Sequence, residues 1–176
     1  MRSFAAIFTA NDTDKQSRHN YGPVYDLLLG RHRTARRVLE LGVDRGGSLR
    51  AWLEAFPDAA VCGVDNRPVD METVQRVTVL EADAYDPEFV KTVPGGWDVI
   101  VDDGPHSLPS MRFVAAHYTP RLAPGGTLII EDVPVASWLP KIAASVDRRF
   151  RSWAFGVERT FCAATDSRLF VVDLRG

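Results

Sequence analysis

One stretch, Val38-Leu-Glu-Leu-Gly-Val-Asp-Arg-Gly-Gly-Ser-Leu-Arg50, constrains the fold more than any other. An apolar strand carrying the acid Glu40 near its end breaks into a glycine-rich turn and restarts as a helix. Gly42, Gly46 and Gly47 allow positive φ and let the backbone approach a ligand closely, while Ser48 can cap the helix that follows. The next apolar run, Ala60-Val-Cys-Gly-Val-Asp65, ends in a second acid. That is about the separation at which a nucleotide fold sets a carboxylate on ribose hydroxyls. Two acids at consecutive strand ends suit a ribose and suit a pyrophosphate poorly. The glycines also miss the G-x-G-x-x-G register, which disfavours a nicotinamide oxidoreductase. The reading is a pocket for a nucleoside cofactor.

The rest of the chain alternates in the same way. Strands are expected at Arg37 to Leu41, Ala60 to Val64, Val77 to Glu81, Trp97 to Val101 and Thr127 to Ile130. They are mostly continuous apolar runs, as in a parallel sheet covered on both faces. After a polar start, Tyr21 to Leu29 reads as a helix, and Ser48 to Phe56, Pro87 to Val93 and Ser110 to Leu122 follow between the strands. Asp70 to Gln75 has room for a turn or two. This order indicates a right-handed doubly wound α/β sheet. Ala136 to Arg149 reads as a last helix. Trp153 to Ala163 and Arg168 to Leu174 then read as two strands joined by a turn at Ala164-Thr-Asp-Ser167, a hairpin that must be antiparallel.

The length of 176 residues suits one domain, residues 1–176, able to bury about 70% of the unfolded chain's surface. No linker, repeat or low-complexity segment interrupts it. A net charge of -2 with mixed signs gives no reason to expect nucleic acid or an anionic membrane. The basic cluster Arg31 to Arg37 is weighed as a solvated loop above an anion site. Cys62 and Cys162 lie in expected strands without metal-ligand spacing and are expected as buried reduced thiols. With no cationic leader and no long apolar run, a cytoplasmic protein is the expectation.

The chemistry gathers at two later strand ends. Trp97-Asp-Val-Ile-Val-Asp-Asp-Gly-Pro-His106 closes the fourth strand and Pro124-Gly-Gly-Thr-Leu-Ile-Ile-Glu-Asp132 the fifth. Ligands of open parallel sheets bind beyond the carboxyl ends of the strands, so both acid pairs should border the cleft opened by Gly42. Carboxylates crowded on one rim repel or trap protons unless a cation neutralises them. Oxygen ligands from two strands fit magnesium or a similar hard cation better than zinc. Asp103, Glu131 and Asp132 are assigned to the metal. Asp102, on the opposite face of its strand, either caps the turn or meets the cofactor. The competing reading makes these acids simple turn and helix caps. His106, three residues past Asp103, can accept a proton from a substrate hydroxyl, because histidine is the side chain that titrates near neutrality. The competing reading is a structural or solvated histidine. His117, within a helix, and His32, in the arginine cluster, carry less weight.

These residues, in this order, resemble the class I S-adenosylmethionine-dependent methyltransferases. Within them the likeness is to the metal-dependent sugar O-methyltransferases, which include the macrolide enzymes acting on mycinamicin and macrocin. The likeness is carried by Thr13-Asp-Lys15, His19 and Tyr21, by Leu39-Glu-Leu-Gly-Val with Gly46-Gly-Ser-Leu, and by Gly63-Val-Asp65. It continues through Asp102-Asp-Gly-Pro-His106 and through Pro124-Gly-Gly with Ile130-Glu-Asp132. The resemblance implies a Rossmann-like, mostly parallel seven-stranded sheet with an antiparallel C-terminal hairpin, and residues 10–30 as an N-terminal flap and helix. It implies S-adenosylmethionine as cofactor, with Glu40, Gly42 and Ser48 at the methionine end, Asp65 on the ribose and Asp83 near the adenine amino group. It further implies Mg2+ on Asp103, Glu131 and Asp132, His106 as general base, and cofactor or substrate contacts from Lys15, His19 and Tyr21. The expected reaction is methyl transfer to a sugar hydroxyl; a catechol-type enzyme and a catalytically silent cofactor-binding domain are the alternatives.

Two departures bear on the acceptor. The chain is expected to lack the separate N-terminal domain of the macrolide enzymes, and the segment after Asp65 is trimmed to little more than Arg67 to Val74. Few walls remain for a bulky acceptor. An exposed sugar, the end of an oligosaccharide, or a pocket completed by a second subunit of a homo-oligomer is therefore expected.

Overall fold

The computed structural model describes residues 2–72, 74–157 and 168–174. Its centre is a seven-stranded sheet of β1 (Arg37–Leu41), β2 (Ala60–Asp65), β3 (Val77–Glu81), β4 (Trp97–Asp102), β5 (Leu122–Ile130), β6 (Phe150–Gly156) and β7 (Arg168–Leu174). The strand order is β3-β2-β1-β4-β5-β7-β6. Strands β3 to β5 pair in parallel, and β7 runs antiparallel to both β5 and β6. The reversed strand therefore lies inside the sheet, with β6 at the edge. The turn expected at residues 164–167, and Cys162, fall outside the described residues. Cys62 is a free thiol, only half-buried.

Register explains why the acids converge. Leu41 pairs with Val64 on one side and Asp102 on the other, and Asp102 pairs with Ile130. The residues that follow, Gly42, Asp65, Asp103 and Glu131, therefore leave the sheet along one rim. Backbone hydrogen bonds continue the ladder past the strands: Gly42 N–H donates to Val64 O (2.8 Å), Asp103 N–H to Leu41 O (2.8 Å) and Glu131 N–H to Asp102 O (2.9 Å). Gly42 has φ +85°, and a Cβ there would stand 2.2 Å from the Asp103 carbonyl oxygen. Only glycine lets β1 turn away so close to the loop that carries Asp103.

Helices cover both faces. On one, α1 (Phe4–Ala10) and α3 (Gly22–Leu29) pack with α4 (Gly47–Ala55); α2 (Asp14–Ser17) lies between them in the chain. On the other, α5 (Pro87–Thr92), α6 (Leu108–His117) and α7 (Leu139–Ala143) close the second core layer. The polar start expected for the chain is instead helical. Phe4, Ile7 and Phe8 recur at helical spacing and are buried, and Ser3 caps the helix by accepting from Ala6 N–H. Helix α6 begins earlier than expected, at a reciprocal cap between Ser107 and Ser110. It ends at His117 because Pro120 opens a 3-10 turn, Thr119–Arg121. Residues 70–72 form no helix. The helix expected over 136–149 shrinks to the 3-10 turn Ala136–Trp138 and α7.

The first layer is aromatic. Phe8 meets Tyr25 (centroids 5.2 Å, 84°) and Trp52 (5.5 Å, 87°) edge-on, and Phe4 touches Tyr25, Trp52 and Phe56. Such pairs add about 0.5–1.5 kcal/mol to simple area burial. This cluster fastens the N-terminal helices to the sheet. Phe8→Ala is expected to destabilise the fold by about 3–5 kcal/mol in urea unfolding. Leu27→Ala, at a side chain 70% exposed on the outer face of α3, should stay within about 0.5 kcal/mol of the parent.

Candidate active site

A cleft of about 1110 Å³ opens beyond the strand ends. The glycine turn (Gly42, Val43, Asp44, Gly47, Ser48), the β2 end (Asp65, Asn66) and Asp83 to Tyr85 line it, with Asp103 and Gly104 at the far wall. Asp65 is held rigidly. Its Oδ2 accepts from the backbone N–H of Val43 (2.9 Å) and Asp44 (3.3 Å), and its Oδ1 from that of Arg67 (3.0 Å). Burial would raise its pKa, but these three donors outweigh burial and hold it below the usual carboxylate range. Oδ2 is filled by its two donors, whereas Oδ1, with one, keeps acceptor capacity. Asp83 forms an Asx turn with Tyr85 N–H (2.8 Å), and its side of the cleft continues to Phe113. A concave wall of glycine backbone with a fixed acid at the second strand end fits a nucleoside.

Three residues expected at the cofactor stand behind this wall instead. Glu40 is fully buried, its Oε2 accepting from Ser48 Oγ (2.6 Å) and Trp52 Nε1 (3.1 Å). Asp102 is buried against the Tyr85 hydroxyl, which donates to its Oδ1 at 2.5 Å. Burial raises Asp102 to about 7, even with that hydrogen bond pulling the other way. Lys15, with only 1% of its surface exposed, turns away from the cleft toward the acids. In each case the side chain satisfies a buried partner, a demand that one-dimensional spacing does not display.

The ammonium of Lys15 donates to Asp103 Oδ2 (2.7 Å) and Glu131 Oε2 (2.6 Å), with Glu40 Oε1 at 3.4 Å. Burial alone would lower its pKa; the carboxylates of Asp103, Glu131 and Glu40 override burial and hold it well above an ordinary lysine. The other oxygen of Glu131 accepts from the Tyr25 hydroxyl. Burial drives the Glu131 carboxyl upward, and Lys15 opposes that. Glu131 is thereby drawn inward, away from the metal set assigned to it with Asp103 and Asp132. Among the described residues, the group whose ligand atoms come within 4.8 Å of one another is Asp103, His106 and Asp132. His106 Nε2 lies 3.7 Å from Asp103 Oδ1 and 3.8 Å from Asp132 Oδ2.

The N-terminal segment meets the same rim. Tyr21 OH donates to Asp132 Oδ1, and His19 Nδ1 is 2.9 Å from that oxygen. His106 (φ 50°) and Asp132 (φ 53°) both sit in the left-handed region, as do Asp12, Asn20 and Asp44 nearby. Such backbone costs on the order of 1–3 kcal/mol per residue and persists only where the surroundings enforce it. Spacing missed Tyr25, Tyr85 and Trp52. The signal for Trp52 was present: it lies one helical turn beyond Ser48, and both donate to Glu40. Tyr25 likewise repeats Tyr21 one turn later. Tyr85 left no sequence signal.

The family model described as a methyltransferase domain matches residues 39–133, more than half of the chain. The chain belongs to the methyltransferase domain family. This methyltransferase domain is similar to the mycinamicin VI 2''-O-methyltransferase of Micromonospora griseorubida, 33% identical over 131 residues, which are 68% of the chain and 33% of that relative. It is also similar to the 8-demethyl-8-alpha-L-rhamnosyl tetracenomycin-C 2'-O-methyltransferase of Streptomyces olivaceus, 33% identical over 147 residues, 76% of the chain and 38% of the relative. The chain thus spans about a third of the length of these relatives. Among solved structures it resembles the MycE methyltransferase from the mycinamycin biosynthetic pathway in complex with Mg, SAH and mycinamycin VI. That match has a TM-score of 0.72 and 30% identity, covering 80% of this chain and 42% of the other. The fold is the α/β class I methyltransferase fold expected from the sequence, with its reversed strand near the C-terminal end. Among the described residues no helix is long and apolar enough to cross a membrane.

The buried lysine yields a stability contrast. Lys15→Met is expected to destabilise the methyltransferase domain by about 3–5 kcal/mol in urea unfolding, because it strands buried carboxylates without their cation. Lys91→Met, which breaks an exposed pair with Glu88, should change stability by less than about 1 kcal/mol.

Proposed function

We propose that this chain is an S-adenosylmethionine-dependent, divalent-metal-dependent O-methyltransferase acting on a sugar hydroxyl. The observation that carries the reading is one of placement. The nucleoside-sized cleft and the Asp103, His106 and Asp132 group share the rim made by β1, β4 and β5, so a donor and an acceptor would meet at that wall. The rhamnosyl group and the O-methyl transfer in the relatives' names support the acceptor class.

The residues fit both groups. Asp65 and the Gly42 turn would hold the nucleoside and Asp83 would face its base, with Ser48 on the methionine side. Asp103 Oδ1 and Asp132 Oδ2 would hold the metal, two hard oxygens that suit magnesium. When bound, the cofactor supplies an electrophilic methyl on a sulfonium, and the cation supplies positive charge beside the acceptor oxygen. The remaining work falls to the chain. His106 keeps a ring nitrogen clear of both acids at 3.7 and 3.8 Å, beyond hydrogen-bond reach, and takes the acceptor's proton as the new C–O bond forms. Tyr21 and His19 fix Asp132, and the flap shields the rim from water. An exposed sugar terminus or a second subunit completing the pocket remains the expected answer for the acceptor.

Two measurements test this reading. His106→Ala should lower kcat by about 10²- to 10⁴-fold while leaving Mn2+ affinity within a few-fold of the parent. Loss of metal together with activity would make His106 a ligand in place of a base. Chelation with EDTA should abolish turnover on a panel of mono- and disaccharides, while S-adenosylhomocysteine still binds by calorimetry. Undiminished turnover in EDTA would remove the metal from the mechanism.

A further inference from the structure

The loop that carries His106 joins β4 to α6, and Tyr85 touches both of its ends. At the β4 end the Tyr85 hydroxyl donates to Asp102 Oδ1 (2.5 Å). At the α6 end the Tyr85 ring packs against Phe113, with centroids 6.3 Å apart and planes at 57°. Between these points the loop lies directly on the hydroxyl: a Cβ at Gly104 would stand 1.7 Å from it. The Asp102 carboxylate also accepts from the Gly104 backbone N–H, so acid, phenol and loop meet at one place.

Tyr85 is itself mounted on a fixed backbone. Its N–H donates to Asp83 Oδ1 (2.8 Å), Tyr118 OH donates to the Ala84 carbonyl (2.7 Å), and Asp86 N–H closes on Asp83 O (3.2 Å) before Asp86 caps α5. The loop needs such a support. His106 has φ +50°, in the left-handed region, which persists only where the surroundings enforce it. Its Nε2 stands 3.7 and 3.8 Å from the acids at the rim, too far to be held by hydrogen bonds to them. The backbone of residues 103–107 must therefore decide where the imidazole stands. Tyr85 also lines the cleft, so one side chain joins the cleft wall to that loop.

We propose that Tyr85 is a positioning residue for methyl transfer: its hydroxyl, fixed between Asp102 and Gly104, sets the loop so that the His106 imidazole faces the end of the cleft. This rests on the reading of His106 as the base. Tyr85 acts through His106 and meets no reacting atom. Without the hydroxyl, the loop backbone can settle into the vacated space and turn the imidazole out of line. A misplacement of about 1 Å can cost on the order of 10²-fold in rate.

Tyr85→Phe keeps the ring and its contact with Phe113 and deletes the hydroxyl. The first readout needs no acceptor. In protein carrying 13C-labelled histidine with S-adenosylhomocysteine bound, the His106 ring resonance, assigned with His106→Ala, should be single in the parent and split or broadened in Tyr85→Phe, while that of His32 stays unchanged. The second is turnover on the panel of mono- and disaccharides. There kcat of Tyr85→Phe should fall about 10²-fold, with KM for S-adenosylmethionine within a few-fold of the parent. The same substitution should add almost nothing to the loss in His106→Ala, because both act through one imidazole. An unaltered His106 resonance, a parental kcat, a loss confined to KM, or a loss that recurs in full on the His106→Ala background overturns the proposal and leaves the base reading intact. Parental turnover by His106→Ala overturns both. Should Tyr85→Phe fail to fold, Tyr85→Phe/Asp102→Asn, which strands no buried charge, is compared with Asp102→Asn under the same outcomes.

Discussion

The contact between the Lys15 ammonium and the acids at the ends of β1, β4 and β5 is the interaction on which the site depends. Three carboxylates drawn out of water are costly, and without a facing cation they would take up protons or move apart. One lysine resolves this for Glu40, Asp103 and Glu131 together, and because it enters from α2 it also ties the N-terminal helices to the sheet. The aromatic layer of Phe4, Phe8, Tyr25 and Trp52 does the complementary mechanical work. It fixes α1 and α3 so that Lys15, His19, Tyr21 and Tyr25 all reach the rim, and Trp52 itself ends on Glu40.

Much of this was legible in the residues. Strands β1 and β3 have the bounds expected of them, and β2 and β4 differ by one residue, because continuous apolar runs closed by acids have few other folded forms. Asp102 and Asp103 do separate tasks, as alternation along a strand requires: one meets Tyr85, the other Lys15. Asp103 and Asp132 come together beyond the ends of β4 and β5, but with His106 in place of the Glu131 expected beside them. Lys15, His19 and Tyr21, expected to touch cofactor or substrate, pack against the acids of the rim.

What escaped was pairing in three dimensions. Glu131 adjoins Asp132 in sequence, yet opposite faces of the chain send one to Tyr25 and Lys15 and the other toward His106. Lys15 and Glu40 carry the charges expected of ligand-binding groups but meet each other instead. The helix α1 was hidden by its short length: seven residues have little intrinsic helix stability, and only the tertiary contacts of Phe4, Ile7 and Phe8 sustain it. Gly104 is a related case. A Cβ there would fall 1.7 Å from the Tyr85 hydroxyl, so the glycine marks a space reserved for a partner nineteen positions earlier, and nothing in the motif names that partner.

The position of β7 has a consequence for how such a domain is made. Strand β5, whose end delivers Glu131 and Asp132, receives its second neighbour only from residues 168–174, and Val133 N–H is held by the Arg168 carbonyl at 3.0 Å. Contacts that bridge such a separation are slow to form, since the intervening loop must be closed before they are rewarded. During translation the β1 to β4 portion can acquire its order early, whereas the acidic rim at the end of β5 must wait for a strand inserted from far downstream. An emerging chain would thus present a finished glycine-turn wall while its acidic half was still unbraced, which orders assembly as cleft wall first and acidic rim last.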